Sequence, residues 1–270
     1  MAYVTASDGT PIYYTDHGSG PVLVLLQGLM LTADGFWTGN IDPLARNCRV
    51  IAIDHRSHGQ SGKPLDGHSI SQCAADLKDV LDALNLDDCT LAGVAFGAMV
   101  MLEYRRRYGN HRLGKLAIIE AQVRLTNAPG WEHPTFGNFP PEAASGFVEA
   151  CRHSREPLTG FLSGAFGTMP DDAEMARMQA QAWLTPTAAA IAYVEDMIAA
   201  DYRDDLPGID LPCLLIYGRL NNVPIPSELG AWIQAQVPGA RLERFADAGH
   251  SPFYEQPERF NAVLAEFVHG

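Results

Sequence analysis

The chain has 270 residues, 47% of them hydrophobic, and 32 acidic against 19 basic side chains give a formal net charge of −13. That excess of acid repels nucleic-acid phosphates and anionic lipid headgroups, so neither is expected as a partner. The length and apolar content suit one large core with room for a smaller attached module.

The N-terminal run MAYVTASDGTPIYY lacks the basic-then-apolar pattern of a secretion signal, and every apolar run falls short of a membrane span. A soluble cytoplasmic protein is expected. PVLVLLQG (21–28) and CRVIAIDH (48–55) read as buried strands. ISQCAADLKDVLDALNL (70–86) is an amphipathic helix, with Leu77, Val80, Leu81 and Leu84 on one side. CTLAGV (89–94) is a strand and GAMVMLEYRRRYG (97–109) a helix that stops at glycine. KLAIIEA (115–121) and PCLLIYG (212–218) are further strands, and PSELGAWIQAQV and PERFNAVLAEFV close the chain as helices. Continuous apolar strands alternating with amphipathic helices predict an α/β fold, with a mostly parallel central sheet covered on both faces.

Residues 126–207 break this rhythm. TNAPGWEHPTFGNFPPEAASGF is rich in Pro, Gly and aromatic residues, and helical segments follow it with no convincing strand. The predicted organisation is a core of residues 1–125 and 208–270 carrying a helical insertion at 126–207. The five cysteines (Cys48, Cys73, Cys89, Cys151, Cys213) are odd in number and scattered, with neither a CxxC nor a Cys/His cluster. They suggest no disulfide framework and no metal.

Four motifs fall in order along the chain. Gln27-Gly28-Leu29-Met30 follows an apolar strand. Asp54-His55-Arg56-Ser57-His58-Gly59-Gln60-Ser61 follows the next. Gly93-Val94-Ala95-Phe96-Gly97 turns a strand into a helix. Asp247-Ala248-Gly249-His250-Ser251-Pro252 precedes the final helix. Together they resemble the α/β-hydrolase family over nearly the whole chain, in its capped esterase and lactonase members. That family shows an HGxx loop, a D-x-R-G-H-G-x-S turn, a G-x-S-x-G nucleophile elbow and a late GH. The resemblance makes 126–207 the cap.

Ala95 is the main departure, because the elbow of that family holds a serine there. Two readings of Ala95 stay open: a chain that by nature has no nucleophile, and a serine replaced by alanine, which leaves substrate bound and unreacted. The resemblance implies His250 as general base and the backbone amides of Leu29 and Phe96 as an oxyanion hole, neither of which needs a side chain at 95. His58 has a structural role in such turns. The acid often follows the strand CLLIYG, where Asn221 stands. Some relatives place it after the strand that follows the elbow helix, and there the chain has Glu120. Glu120 is therefore expected to orient His250, with Asn221 the alternative site of a lost acid. Gln27 and Met30 on the first loop, and Trp131 and Trp183 in the cap, are expected to meet the substrate. Arg124 suits either an anionic group or a surface ion pair.

The leading expectation is a hydrolase of a carboxylic ester or lactone with an apolar or aromatic body, working by a Ser-His-acid mechanism and impaired in this chain by Ala95. An alternative is a cofactor-free dioxygenase or a lyase that uses the His250/Glu120 dyad as base without a nucleophile. A third is a ligand-binding member without catalysis. No cofactor is expected in any of them. The expected partner is a small molecule, with a homodimer allowed.

Overall fold

The computed structural model describes residues 2–220 and 224–270, the side chains of Phe161 and Ser163 excepted. Eight strands form one sheet: β1 (Ala2–Thr5), β2 (Pro11–Gly18), β3 (Val22–Leu26), β4 (Arg49–Ile53), β5 (Cys89–Val94), β6 (Leu113–Ile119), β7 (Cys213–Gly218) and β8 (Arg241–Phe245). Their spatial order is β1-β2-β4-β3-β5-β6-β7-β8. The β1–β2 and β2–β4 pairs are antiparallel, and every other pair is parallel.

The central strands are apolar end to end because both faces are covered. In β3, Val24 and Leu26 enter one cluster while Leu23 and Leu25 enter the other. The helices are α1 (Ala33–Phe36), α2 (Ile41–Leu44), α3 (Ile70–Ala83), α4 (Phe96–Tyr108), α5 (Pro141–His153), α6 (Glu156–Ser163), α7 (Asp172–Ala182), α8 (Thr187–Ala199), α9 (Leu229–Gln236), α10 (Pro252–Glu255) and α11 (Pro257–His269). One face of the sheet packs on α3, α4 and α9, and the other on α2 and α11. The Ser69 hydroxyl caps α3 by accepting the Gln72 N–H, and Ile70, Ala74, Leu77 and Leu81 form its buried stripe. No helix among the described residues is long and apolar enough to cross a membrane.

Helices α5 to α8 all lie between β6 and β7 in sequence. They have a cluster of their own, in which Val148, Leu158, Met178 and Val194 pack with Met30 and Leu31 from the loop after β3. The insertion thus rests on the C-terminal edge of the sheet. Strand order reverses at β3, which lies between β4 and β5. In open α/β sheets, ligands collect beyond the strand ends at such a reversal.

Candidate active site

Four loops leaving the sheet at this edge hold non-glycine residues in the left-handed region: Met30 after β3 (φ 63°), Ser57 after β4 (φ 64°), Ala95 after β5 (φ 49°) and Glu120 after β6 (φ 47°). Each such residue costs on the order of 1–3 kcal/mol and persists only where its surroundings dictate it. At Ala95 (φ 49°, ψ −111°) β5 ends and α4 begins within one residue. The flanking glycines permit this. A Cβ on Gly97 would strike the Leu26 carbonyl, and one on Gly93 would lie 2.7 Å from Ala98 Cα, where only backbone could yield. The first-turn amide of Phe96 has no acceptor within its own helix and sits at the positive end of the α4 dipole.

Glu120, the residue after β6, is almost fully buried, and its Oε2 lies 3.1 Å from His250 Nδ1. Its Oε1 accepts the Gly218 N–H from the end of β7. Burial pushes the Glu120 carboxyl up, while the His250 ring and the Gly218 amide pull it back. The pairing fixes which His250 nitrogen faces the carboxylate and leaves Nε2 for other work. His250 follows the loop after β8, immediately before α10.

A cavity of about 160 Å³ opens between these loops and the insertion. Ala95, Phe96, Leu29, Met30 and His250 share its wall, which is otherwise mostly apolar. The structure therefore brings five of the sequence-derived residues onto one surface, with Glu120 bonded to His250. Phe139, Phe147, Phe166 and Met197 of the insertion line the cavity too, as do Phe36, Met99 and Phe253, which the sequence reading did not assign.

Three expected substrate contacts are corrected. Gln27 is fully buried off the cavity wall, because its amide serves the backbone: oriented by its neighbours, it donates to the Ile53 carbonyl and accepts the His55 N–H at 3.2 Å. Trp131 is buried against Trp232, with ring centroids 4.9 Å apart, and donates to the Arg124 carbonyl at 3.1 Å. Trp183 is 62% exposed on the outer face of the insertion, with the Arg155 guanidinium 4.5 Å over its ring. Of the two readings of Arg124, the ion pair holds: it meets Asp201 at 2.8 Å. Asn221 lies outside the described residues.

The 54–61 turn buttresses the site from below. Asp54 accepts the N–H groups of Ala33 and Gln60, each at 2.7 Å, and a Cβ on Gly59 would strike its carboxylate. Arg56 is buried and bonds Asp76 through Nε and Nη2, both at 2.6 Å. His58 is buried with Nδ1 2.9 Å from the Arg56 carbonyl, and its ring stacks on Phe96 at 5.9 Å. Burial lowers its pKa to about 4, so it stays neutral at pH 7. Two cavity-wall residues, Gln122 and Thr135, were missed from sequence. The only available signal was a polar side chain two positions beyond Glu120 in EAQVR.

Comparison with known proteins agrees with this architecture. The family model described as alpha/beta hydrolase fold matches residues 21–257. A non-heme haloperoxidase of Rhodococcus erythropolis is 31% identical, with 99% of each chain covered. A 3-oxoadipate enol-lactonase of Acinetobacter baylyi is 26% identical over 93% of this chain and 89% of its own. The solved structure of an esterase from Exiguobacterium antarcticum superposes with a TM-score of 0.92 at 26% identity, covering 100% of this chain and 99% of that one.

Proposed function

The chain belongs to the alpha/beta hydrolase fold family, and from that premise we propose that its cavity receives a small carboxylic ester or lactone with an apolar or aromatic body. Residues 126–207 act as a helical cap over a core of residues 1–125 and 208–270. Relatives named as esterase and enol-lactonase support the substrate class, as does the apolar cavity wall. The observation that carries the reading is the meeting of Ala95, held in the strained elbow geometry, and His250, held by Glu120, on one cavity wall.

In this reading, Ala95 occupies the nucleophile position. With a serine there, Oγ would attack the acyl carbon as His250 Nε2 takes its proton, and His250 would return that proton to the leaving alkoxide. Glu120 would hold the imidazole and stabilise the imidazolium. The Leu29 and Phe96 amides would receive the oxyanion. An alanine methyl has no lone pair and no proton to give, so this chain binds the ester and leaves the acyl bond intact.

The test uses p-nitrophenyl esters with the parent, with Ala95→Ser and with Ala95→Ser/His250→Ala. Loss of a triad nucleophile typically costs on the order of a million-fold in turnover, so gain of a serine should be plain. Turnover only in Ala95→Ser supports the proposal. Equal rates in all three proteins overturn it.

A second reading draws on the same pair. The Glu120–His250 contact is complete without residue 95. A buried imidazole held by a carboxylate suits deprotonation of an acidic aromatic hydroxyl, as in a cofactor-free dioxygenase or a lyase. Oxygen uptake by the parent with a hydroxyquinolone, abolished by His250→Ala, would favour it. Ligand binding without either activity would leave a binding protein. The partner in every case is a small molecule.

A further inference from the structure

Phe136 differs from the rest of the cavity wall in exposure and in backbone conformation. It is 58% exposed, while the other described wall residues are buried or half-buried, so it marks where the cavity meets solvent. Its backbone lies in the left-handed region (φ 59°, ψ 14°), and Gly137 follows it there at φ 72°. Glycine takes such a turn without penalty, whereas a bulky side chain at positive φ is strained. With most of its surface in water, the Phe136 ring gains little apolar burial to offset that strain.

The turn is held by its backbone. The Phe136 N–H donates to the Pro224 carbonyl at 2.8 Å, and those of Thr135 and Gly137 donate to the Leu125 and Pro134 carbonyls, each at 2.9 Å. Asn127 closes the far side: its Oδ1 accepts the Phe139 N–H at 2.8 Å, and its own N–H donates to the Phe139 carbonyl at 2.9 Å. None of these bonds uses the Phe136 side chain, so glycine or asparagine would meet the same conformation at lower cost. Strain that the surroundings hold in place gathers at active sites and ligand clamps. The Phe139 ring, also on the wall, stands edge-on to Phe136 with centroids 6.1 Å apart.

We propose that Phe136 and Phe139 form an aromatic mouth that holds an aryl ring at the end of the ligand remote from its ester carbonyl. The carbonyl belongs at Ala95 and His250, on loops of the sheet edge, whereas Phe136 lies on the segment between β6 and α5. A ligand ring on Phe136 covers apolar surface that is otherwise wet, and its contact with two rings favours it over an aliphatic ring of similar size. This rests on the reading of the cavity as an ester or lactone site, and it narrows the substrate to an aryl-terminated one.

The experiment is titration calorimetry on the parent, Phe136→Tyr, Phe136→Leu and Phe136→Asn. The probes are two series of increasing chain length, the phenylalkyl acetates and the methyl phenylalkanoates, each against its cyclohexyl counterparts. In at least one series the parent should favour the phenyl member by about threefold to tenfold, at the lengths that bring the ring to the mouth. Phe136→Tyr should keep that preference. Phe136→Leu, which keeps apolar bulk without a ring, should erase it while still binding the cyclohexyl members, which shows that its fold is intact. Phe136→Asn, a residue type that accepts the left-handed region, should weaken aryl binding without lowering the melting temperature. No preference in the parent, or one that Phe136→Leu leaves intact, overturns the mouth. So does a loss of binding in Phe136→Asn that comes only with a lowered melting temperature, because the ring would then be part of the fold. Binding by the parent needs no turnover and reports on the mouth alone, while ester turnover by Ala95→Ser reports on the hydrolase reading. Turnover without an aryl preference sinks the mouth only, and a preference without turnover sinks the hydrolase reading only.

Discussion

The Glu255 carboxylate accepts the backbone N–H of Gly249 at 2.8 Å, one residue before His250. Its other oxygen accepts the N–H groups of Gly167 at 2.8 Å and Thr168 at 2.9 Å, in the segment joining α6 to α7. One side chain at the end of α10 therefore ties the His250 loop to the insertion that covers the cavity. Three amide donors on one carboxylate also fix its rotamer and so couple the loop to α10.

Glu255→Ala should expose this role. Hydrogen bonds to a charged acceptor contribute roughly 1.5–3 kcal/mol each, so a net loss on the order of 2 kcal/mol or more is expected in urea unfolding. Amide exchange should speed up at Gly249, Gly167 and Thr168 together. Glu255→Gln, with one acceptor oxygen left, should recover part of the protection. Unchanged exchange at Gly249 in Glu255→Ala would show that the loop is held by something else.

Glu120→Gln, placed in the Ala95→Ser background, tests the positioning of His250. An amide keeps the shape but cannot balance an imidazolium, and it invites the wrong tautomer. The expected fall in kcat is about a thousand- to ten-thousand-fold, with KM little changed. A merely structural Glu120 would instead shift thermal stability and leave kcat nearly intact.

The strands that carry the site were legible because each is apolar on both faces. β3, β4, β5, β6 and β7 all appear as short Val, Leu and Ile runs, and the structure shifts their ends by only a few residues. β1, β2 and β8 escaped notice. β2 (PIYYTDHG) and β8 (RLERF) are mixed in polarity, and β8 at the sheet edge has only Phe245 fully buried. The elbow glycines, Glu120 and His250 stood out because backbone crowding and charge burial leave few residue types acceptable there. The cavity wall was less readable. Tryptophan composition pointed to Trp131 and Trp183, yet which helix face turns inward depends on tertiary packing. The insertion presents Phe147 and Met178 to the cavity and turns Trp183 to solvent.

Arg56 and Asp76 form an almost fully buried ion pair between the 54–61 turn and α3, with side-chain exposures of 1% and 5%. The Arg56 carbonyl also accepts the Tyr193 hydroxyl of α8 at 3.1 Å, so the same residue reaches the insertion. Removing one partner strands the other in a poorly solvated place. Arg56→Met should cost about 3–5 kcal/mol in chemical denaturation. Adding Asp76→Leu should restore much of that loss, since the stranded charge is then gone. If the two losses simply add, the pair is not coupled as its geometry implies.

His55 and His58 set an acid limit on the fold. Burial lowers His55 to about 3 and His58 to about 4, against an ordinary value of 6.5. Below pH 6.5 the unfolded chain takes up protons at both rings, while the folded chain takes none until pH approaches 4. Their stabilising contribution is therefore full above 6.5 and is lost as pH falls toward 4. The raised carboxyls of Glu120, Asp54 and Asp76 act in the opposite sense, because the folded state holds their protons to higher pH than the unfolded state does. Raw stability against pH therefore mixes the two groups, and a difference measurement is needed. His58→Phe keeps an aromatic ring against Phe96 and cannot titrate. Each pH unit below 6.5 is worth about 1.4 kcal/mol per ring, so between pH 7.5 and 5 the parent should lose about 2 kcal/mol more than His58→Phe. Urea unfolding at several pH values reads this directly. Parallel curves for the two proteins across that range would mean that His58 is protonated in the folded state, and the neutral stack on Phe96 would have to be abandoned.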